Sequence, residues 1–132
     1  MNEIRSDANH CFVCGPANPI GLHLEFRIEN DVCLSEFTPG RHHCGYDGVT
    51  HGGIIFSALD DVMANWMYLR NKPAYTAKCD IRYKSNLPTG VTVTLEGRCL
   101  KSRGRLVVMQ GRMIRADNSE VVAECEASFM TE

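Results

Sequence analysis

The sequence predicts an α+β fold in which an antiparallel sheet of about six strands wraps around one long central helix. Three observations lead to this prediction. Residues 53–70 form a segment of helical length with apolar side chains on nearly every face, about six shorter segments have the pattern of strands, and short polar turns separate most of these. A single apolar helix and one antiparallel sheet bury their apolar surfaces most economically when the sheet curls around the helix.

The first two strands are expected to form a hairpin. Residues 22–28 alternate between apolar and polar side chains, residues 29–31 read Glu-Asn-Asp, and residues 32–37 form the second apolar run. A long polar loop follows, from Pro39 to Thr50. Loops of this length in a compact domain usually carry function, so the loop is a candidate for part of a site.

The central helix is expected to run from about Gly53 to Arg70, because Pro73 cannot continue it. The glycine pair Gly52-Gly53 at its start leaves backbone N–H groups available for an oxyanion or a phosphate. Two carboxylates, Asp60 and Asp61, interrupt the apolar helix, where they are costly unless they have partners or a function. A polarised oxygen site and a carboxylate together indicate acyl chemistry.

Four further strands are expected after the helix, at residues 76–84, 91–100, 106–115 and 121–130. The turns between them are Pro88-Thr89-Gly90, Ser102-Arg103-Gly104 and Asp117-Asn118-Ser119. Three consecutive hairpins of this kind predict a four-stranded antiparallel meander.

Composition places the chain among globular proteins and excludes several functions. The 132 residues are expected to form a single domain, 1–132, with an irregular N-terminal segment at residues 1–21, and the 44% apolar content suffices for a core. The net charge of −2 shows no excess of basic residues of the kind that binds nucleic acid. No apolar run approaches the ~20 residues of a membrane span, and the polar N-terminus is not a signal peptide, so a cytoplasmic location is expected.

The seven cysteines fit a reducing compartment, in which most of them act as small apolar residues within strands. Cys11-x-x-Cys14 is half of a zinc site, but no second Cys-x-x-Cys is present, and only the fold could bring other ligands to it. We therefore expect packing or turn chemistry here, and neither a metal nor a cofactor. The candidate ligands that the fold would have to supply are Cys44, His42, His43 and His23.

The spacing of Gly53 and Asp60 suggests a site shared between two subunits. Seven helical residues place them ~20° apart around the axis but ~10 Å apart along it. An oxyanion donor and a general base must each lie at roughly 3 Å from their target atoms, so one helix cannot easily serve one acyl carbonyl group with both. A second copy running antiparallel would bring its acid opposite this glycine, which predicts a twofold dimer with two composite sites.

The chain resembles the hotdog-fold thioesterases of the phenylacetate-pathway type over nearly its whole length. His51-Gly52-Gly53 with Asp60 nine residues after the histidine carries the resemblance. Two further matches support it, which are Cys11-Phe12-Val13-Cys14-Gly15 with Asn18-Pro19-Ile20-Gly21-Leu22, and Tyr83 followed by Pro88-Thr89-Gly90.

The resemblance implies a role for each residue of the motif. The Gly53 N–H would polarise the thioester carbonyl, Asp60 would act as nucleophile or general base, and His51 would shape the loop and contact the substrate. Many relatives have Asn or Gln shortly before the histidine to orient the thioester, and here that role would pass to His43 or Asp47. The other candidate substrate-binding residues are Gly52, Ser57 and Asp61, although Asp61 also forms a polar i, i+4 stripe with Ser57 and Asn65 that is typical of a structural acid.

The function expected from these residues is that of an acyl-CoA thioesterase, acting on an acyl-CoA as a homodimer or a dimer of dimers. The alternative is a hotdog module that binds acyl-CoA without cleaving it, although a pure binder has no need of an acid beside a thioester. A hydratase on the same fold is disfavoured, because no histidine follows His51. Late in the chain Lys and Arg side chains are gathered, which suits contact with coenzyme A phosphates.

Overall fold

One long helix lies against a curved antiparallel sheet, and together they confirm the predicted α+β hotdog architecture. The structure is a computed structural model that describes residues 7–132, so residues 1–6 of the predicted irregular segment lie outside the described part. In chain order the described elements are β1 (Arg27–Glu29), β2 (Val32–Phe37), a 3₁₀ turn (Arg41–His43), α1 (Gly52–Tyr68), β3 (Ala74–Tyr83), β4 (Val93–Arg103), β5 (Leu106–Arg115) and β6 (Val121–Thr131).

The first strand is shorter than predicted. Only Arg27–Glu29 pairs with β2, whereas the prediction placed the strand at residues 22–28. The backbone N–H groups of Leu22 and Leu24 donate instead to the carbonyls of Phe12 and Val13, at 2.8 and 2.9 Å. Residues 22–24 therefore hold the N-terminal segment against the domain rather than extending the sheet.

The predicted four-stranded meander is wrong for its first strand. The sheet order is β1-β2-β4-β5-β6-β3, so only β4, β5 and β6 form a meander, and β3 pairs with β6 at the far edge. The Pro88-Thr89-Gly90 segment lies in a connection that crosses to the other side of the sheet. This connection is tied to the loop before α1, because Thr50 N donates to Leu87 O at 2.8 Å and Thr89 N donates to Gly48 O at 3.0 Å.

Helix α1 packs closely on the sheet with one face. Its buried apolar residues include Leu59, Val62 and Met63, which are fully buried. A Cβ atom at Gly97 of β4 would lie 2.6 Å from the Val62 carbonyl oxygen, so glycine allows the helix backbone to rest directly on this strand. Among the described residues, 7–132, no helix combines the length and apolarity needed to cross a membrane.

No disulfide bond joins any of the seven cysteines, which all lie within the described residues, and several occupy apolar positions as expected. Cys33 and Cys125 are 0% and 4% exposed, and burial raises the pKa of each thiol to about 12. Cys79 and Cys99 are half-buried against the same core. These four thiols act as core side chains rather than as reactive groups.

Candidate active site

The start of α1 is capped by a histidine ring. His51 lies in the N-cap position with extended backbone, and its Nδ1 accepts the Gly53 N–H at 2.8 Å. Because Nδ1 is the acceptor, the neutral imidazole carries its proton on Nε2 and can donate it to a ligand. A Cβ atom at position 53 would lie 3.0 Å from Nδ1, so glycine leaves the room that the ring needs.

The available amide at the helix start belongs to Gly52 rather than to Gly53. The prediction assigned the donor role to the Gly53 N–H, but His51 occupies that N–H in this structure. Among residues 7–132 the Gly52 N–H has no hydrogen-bond acceptor. The Gly52 carbonyl, in contrast, accepts the hydroxyl of Tyr83 at 2.9 Å. Strand β3 thus holds the first peptide of the helix in place.

A cavity of about 590 Å³ opens in front of this helix start. The loop before α1 forms one wall and the connection after β3 forms the other. Its size and its mixture of apolar, aromatic and backbone polar groups suit a small acyl group next to a polarised carbonyl. The lining residues are Gly45, Tyr46, Val49, Thr50, His51, Gly52, Gly53, Ile55, Tyr83, Ser85, Asn86 and Leu87.

Thr50 brings a buried hydroxyl to the wall of this cavity. The side chain is 4% exposed, and within the described part of the chain its Oγ1 has no hydrogen-bond partner. A buried polar atom left in this state costs ~1–3 kcal/mol. Because buried polar groups in folded proteins nearly always have a partner, this hydroxyl is a candidate donor to a bound ligand, which would reach it once the groups that cover it shift.

Asp60 lies away from the cavity, on the part of α1 that faces β3. Its Oδ1 accepts the hydroxyl of Thr76 at 2.6 Å, and the carboxyl is half-buried. Burial raises the pKa of Asp60, and the hydrogen bond from Thr76 opposes this rise. The eight residues from Gly52 to Asp60 span ~12 Å of helix, and Asp60 does not line the cavity of its own chain.

Three other predicted substrate-binding residues also lie outside the cavity. His43 accepts the Gly40 N–H on Nδ1 at 2.9 Å, and burial lowers its pKa. The Ser57 hydroxyl donates to the Gly53 carbonyl at 2.8 Å within the helix. Asp47 is exposed in the loop. The His43 side chain thus stabilises the loop before α1, and the Ser57 side chain stabilises the first turn of α1.

Asp61 faces the N-terminal segment of the chain. Its Oδ2 accepts the side-chain amide of Asn65 at 3.1 Å, as the predicted i, i+4 stripe requires. Its Oδ1 accepts the Cys11 thiol at 3.7 Å. The two adjacent acids of α1 thus point to different surroundings, Asp60 to β3 and Asp61 to Cys11.

Two contacts of this region had no signal in the sequence. Thr76 was predicted only as the beginning of a strand. Its contact with Asp60 joins β3 to α1, and the alternation of apolar and polar residues within a strand does not show which helix residue the strand contacts. Thr50 was predicted as the last residue of a polar loop, and its burial depends on the connection that carries Leu87. Tyr83 did belong to one of the two further matches that support the resemblance, but its bond to Gly52 was not predicted.

Comparisons with known proteins agree with this architecture. Residues 47–122 match the sequence profile of the thioesterase superfamily. The chain is 33% identical over 100 residues to the acyl-coenzyme A thioesterase THEM4 of Xenopus laevis. The aligned region covers 75% of this chain and 44% of that protein. The chain therefore spans less than half the length of this curated relative.

Solved structures show the same fold. A thioesterase superfamily protein superposes with a TM-score of 0.85 at 25% identity, over 92% of this chain and 63% of that one. The PaaI protein from the phenylacetic acid degradation operon of E. coli superposes with a TM-score of 0.76 at 16% identity, over 83% of each chain.

Proposed function

Since the chain belongs to the thioesterase superfamily, we propose that it is an acyl-CoA thioesterase, which hydrolyses a thioester to a free acid and coenzyme A. The observation that carries this proposal is the capped helix start with an available amide at the wall of a cavity of about 590 Å³. Such an amide suits the oxygen of a carbonyl under attack. The name of the Xenopus laevis relative supports acyl-CoA as the substrate.

In the proposed mechanism the thioester carbonyl oxygen accepts the Gly52 N–H. The Gly53 amide contributes indirectly, because its bond to His51 Nδ1 fixes the ring so that the Nε2–H faces the ligand. The Thr50 hydroxyl supplies a further donor, in the role that an amide side chain before the histidine fills in many relatives. Donors held in place before the reaction stabilise the developing oxyanion without reorganisation.

Asp60 is the proposed general base or nucleophile. As a general base it takes a proton from the water that attacks the carbonyl carbon, and coenzyme A leaves as the thiolate. As a nucleophile it attacks the same carbon and forms a mixed anhydride, which water then hydrolyses. A single turnover in ¹⁸O-water tests the nucleophilic route, because water that attacks the Asp60 carbon of the anhydride leaves the label in that carboxyl group, whereas the general-base route places it only in the released acid.

We further propose that each site combines the helix start of one subunit with Asp60 of the other. Strand β3 lies at an edge of the sheet, and it contacts both halves of the site, through Thr76 to Asp60 and through Tyr83 to Gly52. An antiparallel pair of β3 strands, with Thr76 of one opposite Tyr83 of the other, would bring the two halves together. It would also cover a ten-residue strand edge that is otherwise open to aggregation.

A hydrolysis screen tests the proposed activity. Short, long and aromatic acyl-CoAs are offered to the protein and the released thiol is measured, with the Asp60→Ala variant as the blank because accessible thiols of the protein, such as Cys44, react with thiol reagents. Release of coenzyme A above the blank supports the proposal. Tight binding of acyl-CoA without release would identify the non-catalytic binding module instead. We also propose a cytoplasmic location, because a chain with seven cysteines and no disulfide bond among them fits a reducing compartment.

A further inference from the structure

We propose that Cys11, Cys14 and Asp61 bind a zinc ion that fastens the N-terminal segment to helix α1. The sequence alone supplied half of such a site and predicted no metal. The fold adds a third ligand, Asp61, which lies in the middle of helix α1 and 47 residues after Cys14 in the chain.

The three ligand atoms already lie at a distance that suits one ion. The two thiol sulfurs and a carboxylate oxygen are all within 4.8 Å of one another, and Cys11 Sγ lies 3.7 Å from Asp61 Oδ1. A tetrahedral zinc with bonds of about 2.3 Å to sulfur and about 2.1 Å to oxygen requires separations of about 3.5–3.8 Å between its ligands. Contraction by about 1.3 Å at most would therefore complete the geometry.

The backbone around the two cysteines is held in place without a metal. Gly15 N donates to the Cys11 carbonyl at 2.9 Å, and the bonds from residues 22 and 24 fix the two residues between the cysteines. A Cβ atom at position 15 would lie 2.3 Å from Cys11 N, so only glycine permits this tight turn. Both thiols thus approach α1 from a rigid loop, which lowers the entropy lost on binding an ion.

Asn65 provides the outer hydrogen bonds that orient metal ligands in proteins. Its side chain is 4% exposed, and its Nδ2 lies 3.1 Å from Asp61 Oδ2 and 3.9 Å from Cys14 Sγ. One amide therefore donates to a ligand of each type. Such bonds favour the ionised carboxylate and thiolate, which are the forms that bind zinc.

A small cavity leaves room for a fourth ligand. About 150 Å³ of space adjoins the three side chains, walled by Ala8, Ala64, Tyr68 and Pro73 among others. Within residues 7–132 no fourth His, Cys, Asp or Glu joins the cluster, and the space holds a water molecule easily. The chemistry expected is a zinc with two sulfur ligands, one oxygen ligand and one water.

Metal analysis tests the proposal directly. Protein purified without chelator and equilibrated with zinc is expected to retain about one ion per chain, and cobalt in its place should give a thiolate-to-metal charge-transfer band. Cys14→Ser and Asp61→Asn should each lower zinc affinity at least ~100-fold, and Asn65→Ala ~10–100-fold. Cys99→Ser removes a half-buried thiol elsewhere on the sheet and should leave the affinity unchanged.

Thermal unfolding supplies a second measurement that does not depend on activity. Zinc should raise the melting temperature of the wild-type chain and of Cys99→Ser, and should leave that of Asp61→Asn unchanged, because only an ion bound to the native state stabilises it. Asp61→Asn keeps the shape of the side chain, so the test survives if Cys14→Ser fails to fold. Absence of the cobalt band, equal affinity in Asp61→Asn, or a Cys11–Cys14 disulfide in the isolated protein would overturn the proposal.

Discussion

At the scale of single residues, three consecutive residues that line one cavity carry donors of different kinds. The Gly52 N–H belongs to the backbone, the His51 Nε2–H follows from the capping bond of the same ring, and the Thr50 hydroxyl is buried without a partner among the described residues. Backbone donors resist substitution, so the side-chain donors are the ones that mutation can test.

Replacing Thr50 with valine separates the function of this residue from its contribution to folding. Valine matches the shape of threonine and removes only the hydroxyl. Because this hydroxyl has no partner in the described structure, the free energy of unfolding should stay the same or rise by ~1–3 kcal/mol. Turnover should fall by ~10²-fold if the hydroxyl donates to the oxyanion. Steady-state kinetics and urea unfolding of the same variant check both results, and unchanged turnover would exclude the role.

The Asp60→Asn variant should lose turnover by ~10²–10⁴-fold while remaining folded, since the amide can still accept the Thr76 hydroxyl but can act neither as base nor as nucleophile. Asp61→Asn should cost less turnover, because Asp61 faces the N-terminal segment. Asp117→Asn, in the exposed turn between β5 and β6, is the control for loss of a charge. A dead Asp61→Asn variant beside an active Asp60→Asn variant would reverse the assignment.

At the scale of elements, the sequence predicted which segments form helix and strand better than it predicted their partners. Helix α1 begins and ends within two residues of the predicted limits, and β5 has the predicted bounds of Leu106–Arg115. Periodicity reports which face of an element is buried, so these elements follow from the pattern alone. It does not report which neighbour covers that face.

Strand β3 illustrates the difference. Its alternation and the turn residues Pro88-Thr89-Gly90 resemble a hairpin, yet the strand pairs with β6. The deciding bonds, such as Thr50 N to Leu87 O, join segments that lie far apart in the sequence.

The candidate site was predictable to the same extent. The helix-start motif and Asp60 were found from their spacing, whereas Thr50, Thr76 and the partnership of Asp61 with Cys11 depend on tertiary contacts.

The cap of α1 can be tested by two substitutions of His51. Alanine removes the acceptor of the Gly53 N–H and should lower the free energy of unfolding by ~0.5–2 kcal/mol. Asparagine is a strong N-cap residue and should restore stability, but it has no Nε2–H to reach the ligand, so turnover should remain low. Recovery of both properties in His51→Asn would limit the ring to a structural role.

The β1–β2 hairpin should lose stability in acid. Arg27 donates two hydrogen bonds to Glu36, each of 2.9 Å, and these bonds lower the pKa of the Glu36 carboxyl group. Because the folded-state pKa lies below that of the unfolded chain, the contribution is present above the unfolded value and is lost as the pH falls through the folded one. Denaturant unfolding from neutral pH to pH ~2 should show a smaller loss in the free energy of unfolding for Glu36→Gln than for wild type. An equal loss in both proteins would show that the Arg27–Glu36 pair does not contribute to the instability in acid.

At the scale of the whole molecule, one chain holds the parts of the site but keeps them apart. Asp60 and the Gly52 end of the cavity both contact β3, at one edge of the sheet. The rise along α1 separates Gly52 from Asp60 by ~12 Å. The opposite edge, β1, has three residues, whereas β3 has ten and carries the half-exposed Tyr83. This asymmetry supports the proposed pairing of two copies through β3, which would make activity a property of the dimer.

Complementation between two inactive variants tests this central claim most directly. Asp60→Asn removes the acid. Gly52→Pro removes the donor N–H at the first helical position, where proline is tolerated and where the extended backbone of His51 suits a following proline. Both variants are first shown by circular dichroism to be folded, and subunit exchange is verified with two affinity tags. Each variant alone should be inactive, and purified mixed dimers should regain activity at one of their two sites, the one that combines the native Gly52 with the native Asp60 of the partner. Inactive mixed dimers, or a fully active monomer in sedimentation, would contradict the shared site.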